Sequence, residues 1–302
     1  MARGVMASEP LADGLCNSNF KLLLDRAPGA VVVRFYEHDV ALCQKELDLI
    51  QLVRGSVPVA EVLHTEVRGC EGLPPFVILR WVEGITFREL KRGGDREAIA
   101  QAAYAIGETL AAIGRFTFPM PGWIVPGPAV AAPLLEGADA MPRFVDLCLA
   151  AESLRRRLPA GLCDSTHAAM WQWASPLASL EPEVRLVHGD FSKRNTLVRC
   201  DSGRWMVAAV LDWEFAVSVS PLADVGNFLR YERTARPLAA HFSAGFREAG
   251  GELPEDWRRL ARTIDLVAPC ESLTRDQLPD DITPELVELV RATIEDRDPE
   301  FE

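Results

Sequence analysis

His188-Gly189-Asp190-Phe191-Ser192-Lys193-Arg194-Asn195, followed seventeen residues later by Asp212-Trp213-Glu214, says more than the rest of the 302-residue chain together. Thr196 to Arg199 is a short strand-like run, Asp201-Ser202-Gly203 is a turn signal, and Trp205 to Leu211 is a longer apolar run with several β-forming residues. Two such runs around a tight turn predict an antiparallel hairpin. Asn195 begins its first strand and Asp212 ends its second, so the open end sets the two side by side, at roughly the 4.8 Å spacing of paired strands. An amide oxygen and a carboxylate at that separation can share one hard cation, and Mg2+ takes its remaining ligands from water and phosphate. Asp190, five residues before Asn195, sits on the loop entering the hairpin, where it can accept or orient the proton of a substrate hydroxyl.

Each of these residues alone is an ordinary loop former or strand end. Their joint pattern matches what phosphoryl transfer from a nucleotide requires, and the Asp190-to-Asn195 spacing equals that of the protein-kinase catalytic loop. With His-Gly-Asp for His-Arg-Asp and Asp-Trp-Glu for Asp-Phe-Gly, the chain resembles the aminoglycoside phosphotransferase and choline kinase superfamily, from about residue 10 to about residue 295. That resemblance implies Asp190 as catalytic base and Asn195 and Asp212 as magnesium ligands. It implies His188 as structural support of the loop, with Asp224 of Pro221-Leu222-Ala223-Asp224 hydrogen-bonding the loop from below. The residue two after Asp190 is Ser192, where protein kinases carry a phosphate-binding Lys. Lys193 and Arg194 can approach the γ-phosphate instead, or simply be solvated.

Toward the N-terminus, Phe20–Leu24 and Ala30–Tyr36 read as two strands joined by a Pro28-Gly29 turn. Upstream, Gly14-Leu15-Cys16-Asn17-Ser18-Asn19 is neither a P-loop nor a Gly-x-Gly-x-x-Gly loop. It resembles the superfamily's Gly-x-x-Asn-x-Asn stretch over the nucleotide phosphates, which implies nucleotide contacts for Gly14, Asn17 and Asn19. Asp39 can cap a helix reaching about Arg54, with Cys43, Leu47, Ile50 and Val53 as its apolar stripe. Glu46 falls on the same stripe and needs a cationic partner, for which Arg34 on the neighbouring strand is the candidate. Protein kinases place a Lys there; the Arg resembles choline kinases and presents a rigid fork instead of a point charge. Phe76–Val82 reads as a buried strand ended by Glu83-Gly84. In a two-lobed kinase it becomes the hinge, with backbone groups near Trp81 and Glu83 binding adenine.

Beyond it, Asp95–Arg115 has strong helical periodicity. Phe116–Pro142, with six prolines and three glycines, reads as a long irregular segment in which Trp123 can contact an acceptor. Helices are predicted over 145–157, 165–180, 221–233, 235–249, 256–273 and 284–296. Trp171 and Trp173 read as packing residues. The expected fold class is α+β, two-lobed and protein-kinase-like. Residues 1–83 would form a small antiparallel β-sheet lobe with one helix, and residues 84–302 a larger, mainly helical lobe.

The composition, 48% hydrophobic with a net charge of −12, suits an enzyme with a real core and argues against nucleic-acid binding, which needs a basic face. No apolar run reaches membrane-span length and no apolar signal segment opens the chain, so no membrane partner is expected. Seven scattered cysteines suggest free thiols in a reducing cytoplasm. Between Asp276 and Glu302 ten acids face only Arg291 and Arg297, either a solvated stretch or an acidic rim that attracts a cationic substrate. The expectation is therefore an ATP- and Mg2+-dependent kinase, monomer or homodimer, acting on a cationic or polyhydroxylated, aminoglycoside-like small molecule. A choline-, ethanolamine- or homoserine-type metabolite kinase and a non-catalytic nucleotide-binding protein are the alternatives.

Overall fold

Near the N-terminus, short aliphatic runs pair into a five-stranded antiparallel sheet in the computed structural model, which describes residues 4–11, 17–133, 137, 139–180, 184–232, 236–279 and 282–297. Its strands are β1 (Val5–Leu11), β2 (Ser18–Leu24), β3 (Ala30–Phe35), β4 (Val62–Glu66) and β5 (Phe76–Arg80), in the order β1-β2-β3-β5-β4, with helix α1 (Ala41–Val53) between β3 and β4. Strand β1 has no apolar alternation to betray it, since nearly every residue is exposed. It is an edge strand held by its ladder to β2, from Val5 opposite Leu24 to Leu11 opposite Asn19. Asp39 Oδ1 accepts the Ala41 N–H at 2.9 Å and starts α1. The buried face of α1 carries Cys43, Glu46, Ile50 and Val53 as the periodicity predicts, and also Leu49 and Lys45, which it does not, while the expected Leu47 is only half-buried.

The chain then crosses into a larger, mainly helical portion through β6 (Ile85–Thr86), α2 (Phe87–Gly93) and α3 (Arg96–Ile113). A reciprocal cap starts α2: Thr86 Oγ1 accepts the Glu89 N–H at 3.1 Å while Glu89 Oε2 accepts the Thr86 N–H at 2.7 Å. The segment expected to be irregular instead contains a hairpin, β7 (Gly122–Val125) and β8 (Ala129–Ala132). Its Pro126-Gly127 turn uses left-handed backbone at Gly127 (φ 86), so residues read as breakers serve here as the turn. The Gly127 N–H reaches back to Asp48 Oδ2 of α1 at 2.7 Å.

Helices α4 (Ala140–Ala150), α5 (Glu152–Arg157), α6 (Ala160–Gln172) and α7 (Ala174–Ala178) follow. After them come strands β9 (Arg185–Val187), β10 (Thr196–Asp201), β11 (Arg204–Val210) and β12 (Val217–Val219). Helices α8 (Leu222–Leu229), α9 (Arg236–Glu248), α10 (Trp257–Asp265), α11 (Val267–Leu273) and α12 (Ile282–Ile294) complete the fold. Three stretches predicted as single helices are pairs, parted at Ala151, Trp173 and Leu266. Strand β9 lies in a small sheet ordered β8-β7-β12-β9, while β10 and β11 form the predicted hairpin with β6 on the outer side of β10. Ser202 (φ 51) and Gly203 (φ 83) are both left-handed in its turn, which matches the right-handed twist of the strands.

One main core runs from Leu49 and Val53 of α1 through Ile106 and Leu110 of α3 to Phe191, Trp213, Phe228 and Phe242. No described helix is long and apolar enough to cross a membrane, and the six described cysteines are free thiols. Helices α3 and α9 cross at backbone contact through two glycines. A Cβ on Gly107 would lie 2.0 Å from Phe242 O, and one on Gly245 would lie 2.1 Å from Tyr104 O. Gly107→Ala is therefore expected to lower unfolding free energy by about 2 kcal/mol or more through overpacking. In thermal unfolding Gly55→Ala, whose Cβ meets nothing within 4 Å, should stay close to the parent. Equal stability of the two variants would contradict this packing.

Candidate active site

The loop from His188 to Asn195 joins β9 to β10, and its shape is set by groups buried beneath it. His188 is fully buried. Its Nε2–H donates to Leu211 O at 2.9 Å and its Nδ1 accepts the Asp190 N–H at 3.2 Å, which fixes one neutral tautomer. Burial pushes the imidazole down to about 4. Gly189 has left-handed backbone (φ 82), and a Cβ there would lie 2.1 Å from Phe215 O, so only glycine fits. Asp224, in the first turn of α8, accepts the N–H groups of His188 at 2.7 Å and Gly189 at 3.0 Å from below. Burial raises its carboxyl to about 7.

Asp190 lies at the bend of this loop. Asn195 Nδ2 donates both to Asp190 Oδ2 at 2.7 Å and to Asp190 O at 3.0 Å. Only the NH2 end of an amide can donate to a carboxylate, so Asn195 Oδ1 is directed away from Asp190. Burial and then the nearby Asp212 raise the Asp190 pKa, while Arg230 and side-chain hydrogen bonds from Asn195 and Asn227 oppose that rise.

The strand register brings the third oxygen group alongside. Thr196 pairs with Val210, and the Leu211 N–H donates to Asn195 O at 2.8 Å, so pairing ends at these two residues. Asp212 comes next and turns the chain away with left-handed backbone (φ 68). Trp213 is fully buried beneath it, its ring 4.8 Å from that of His188.

Arg34, on β3 and 7% exposed, meets this turn from the sheet side. Its Nη2 donates to Asp212 Oδ1 at 2.6 Å and to Glu214 Oε2 at 3.2 Å. Its Nε lies 3.2 Å from Glu46 Oε2 without a hydrogen-bond alignment, so that third contact is purely ionic. Burial alone would lower the Arg34 pKa, and the carboxylates of Glu46, Asp212 and Glu214 more than offset it. Glu46 also accepts from the Tyr36 hydroxyl and, through Oε1, from the Trp213 N–H at 3.3 Å. Asn17 donates to Glu214 Oε2 at 2.5 Å, which ties the segment before β2 to the same cluster. Lys45 Nζ donates to Glu214 O at 2.7 Å.

Asp190, Asn195, Asp212, Arg34, Glu46 and Asn17 are thus brought together, with His188 and Asp224 beneath. Asn19, Trp81 and Glu83 are not in this cluster. Asn19 stands in β2 opposite Arg34, and the Trp81 N–H is already spent on Ala30 O at 3.3 Å, with Lys21 over its ring. Glu83 is exposed, and Gly14 lies outside the described residues. Lys193 is largely enclosed, its side chain 12% exposed. Its ammonium is held 3.1 Å from Glu232, which Lys91 also contacts, and it faces the rings of Tyr231 and Phe228. Arg194 is exposed. Four of the described acids near the C-terminus have partners as well: Glu285 accepts from the Tyr231 hydroxyl, Glu288 and Glu295 meet Arg297, and Asp296 meets Arg262. Of the other acids of this stretch, those at 280, 281, 298, 300 and 302 lie outside the described residues.

The profile of the phosphotransferase enzyme family named APH matches residues 8–262. The chain belongs to that family. Among solved structures, a ternary complex of a thermostable mutant of aminoglycoside phosphotransferase APH(4)-Ia with ADP and hygromycin B superposes with a TM-score of 0.67. Identity there is 18%, over 97% of this chain and 95% of the other. A GDP and kanamycin complex of APH(2")-IIIa gives 0.68 at 19% identity, over 96% and 93%. Among curated protein sequences nothing matches. The resemblance read from the motifs and the kinase-like α+β fold class both stand.

Several members of this phosphotransferase site escape a sequence reading. Glu214 follows the quoted Asp-Trp pair but gives no sign of reaching Asn17 and Arg34 across the fold. Asn227 and Arg230 stand one and two helical turns beyond Asp224 on α8, a spacing that would have signalled them. His188 offers a direct check on the loop's electrostatics. Burial favours the uncharged ring, so it should keep its Nε2–H tautomer from pH 8 down to about 5 in side-chain nitrogen NMR. A titration midpoint near the ordinary 6.5 would contradict the buried loop.

Proposed function

We propose that this phosphotransferase moves the γ-phosphate of ATP to a hydroxyl of a small molecule, with Mg2+ as its metal. The observation that carries the reading is the pairing of Asn195 with Asp190 at 2.7 Å, next to the strand end that turns out Asp212. The amide holds the Asp190 carboxylate in one orientation, where it accepts the proton of an acceptor hydroxyl or aims that hydroxyl at the phosphorus. The residues fit magnesium. Asn195 Oδ1, facing away from Asp190, and the carboxylate of Asp212 supply two hard oxygens, and Mg2+ draws the rest of its shell from phosphate and water. The metal would neutralise phosphate charge during transfer. Arg34, fixed by three carboxylates, would bind the nucleotide's inner phosphates through its fork, and Asn17, tied to Glu214, would hold the stretch above them.

The acceptor is expected to be cationic or polyhydroxylated, as the related structures were solved with hygromycin B and with kanamycin and this chain is strongly acidic. Choline, ethanolamine and homoserine are the competing acceptors, because fold alone does not choose among them.

ADP release from Mg-ATP in the presence of aminoglycosides, choline, ethanolamine, homoserine and macrolides tests this reading. One acceptor should stimulate turnover, and Asp190→Asn should lower kcat by about 10²–10⁴-fold while Mg-ATP still binds. Saturable Mg-ATP binding with no transfer to any acceptor would favour a nucleotide-binding protein instead. An Asp190→Asn variant at the parental rate would remove Asp190 from the chemistry.

A further inference from the structure

Lys45 is a buried cation that the proposed chemistry does not use. It is 5% exposed, precedes Glu46 on α1, and among the described residues its ammonium has one hydrogen-bond partner, the carbonyl oxygen of Glu214 at 2.7 Å. Burying an ammonium is costly, and an apolar side chain of similar length would fill the space at less expense, so packing alone does not account for a lysine here.

Its surroundings suggest what it does. Three carboxylates, those of Glu46, Asp212 and Glu214, gather around the single guanidinium of Arg34. Lys45 brings a second positive charge to this group; burial lowers its pKa to about 8, against the opposing pull of Glu214, Asp39 and Glu46. Two consecutive residues of α1 grip the two residues that follow Asp212. Glu46 Oε1 accepts the Trp213 N–H at 3.3 Å, and Lys45 donates to Glu214 O at 2.7 Å. Farther along the helix, Asp48 holds Gly127 of the β7–β8 turn, so α1 is fastened beyond this grip as well. Asp212 itself has left-handed backbone, which L residues other than Gly, Asn and Asp rarely adopt and which neighbouring contacts help to hold. His188 holds the Leu211 carbonyl before Asp212 and Arg34 holds its carboxylate, while the bonds from Lys45 and Glu46 hold the backbone that follows it.

We propose that Lys45 is a positioning residue for Asp212: by holding the Glu214 carbonyl it fixes the turn that aims the Asp212 carboxylate, and so sets the affinity of the site for a divalent cation bound with nucleotide. The proposal rests on the reading of this cleft as a magnesium–nucleotide site. It gives α1 a role beyond presenting Glu46 to Arg34, since the helix also shapes the metal-bearing turn directly.

The test is a calorimetric titration of a non-hydrolysable ATP analogue at graded Mg2+ concentrations with the parent chain, Lys45→Met and Lys45→Arg. Lys45→Met should need about 10-fold or more Mg2+ for half-maximal binding, the usual scale for losing a residue that orients a metal ligand. Binding without Mg2+ should be unchanged. Lys45→Arg, which can donate to the same carbonyl, should recover most of the loss. In the metal-free protein, amide hydrogen exchange at 213–216 should rise in Lys45→Met and return in Lys45→Arg. If Lys45→Met does not fold, Lys45→Gln takes its place with the same two outcomes. Parental Mg2+ dependence in the variant overturns the proposal, as does a loss of nucleotide affinity that is equal with and without Mg2+. If the parent chain binds no nucleotide at any Mg2+ concentration, the site assignment fails first, which separates the two failures.

Discussion

A single buried guanidinium organises the site. Arg34 reaches from the N-terminal sheet to Asp212 and Glu214 on the helical side, and Glu46 of α1 closes on it from a third direction. Such a cluster is expensive to bury, because each charge loses water, and its members become tolerable only in one another's company. That mutual dependence joins elements far apart in sequence. Remove Arg34 and three carboxylates, those of Glu46, Asp212 and Glu214, are left facing each other largely out of water. With it in place, the sheet, α1 and the turn after β11 have one arrangement that satisfies all of them.

The loop bearing Asp190 is built by a complementary device that uses backbone more than charge. Asp224 accepts two consecutive N–H groups beneath the loop, and His188 bridges it to Leu211, just past β11 and before Asp212. Gly189 lets the chain pass against Phe215 O. Its last residue, Asn195, then fixes the Asp190 carboxylate and leads into β10. A hydrogen-bonded hairpin is a rigid ruler: once Thr196 pairs with Val210, the positions of Asn195 and Asp212 follow to within the pleat. The geometry of the proposed proton acceptance and cation binding therefore comes from one register, and a slip of one residue would separate both.

Much of this was legible because it is local. The Asp201-Ser202-Gly203 turn, the two apolar runs around it and the helical spacing of α1 and α3 are short-range signals, and the structure follows them closely. The Arg34–Glu46 contact was also reachable, because an acid on an apolar stripe demands a cation and the adjoining strand offers one. What stayed hidden is either non-local or ambivalent. Strand β1 is exposed on almost every residue and exists through its pairing with β2. Prolines and glycines at 121–128 read as breakers, yet Pro126-Gly127 closes a hairpin that contacts α1. Lys193 reads as solvated or phosphate-facing until Glu232 and Tyr231 are seen to enclose it. Lys45 lies beside Glu46 on the helix, and nothing in a single sequence announces that a lysine will be buried.

The most direct measurement is a crystal structure with Mg2+ and a non-hydrolysable ATP analogue. The account predicts a cation bound by Asn195 Oδ1 and the Asp212 carboxylate at roughly the 2.1 Å of magnesium–oxygen bonds, with the terminal phosphate turned toward Asp190. Nucleotide lodged elsewhere, or a cation held by other groups while Asn195 and Asp212 stay outside its shell, would contradict it.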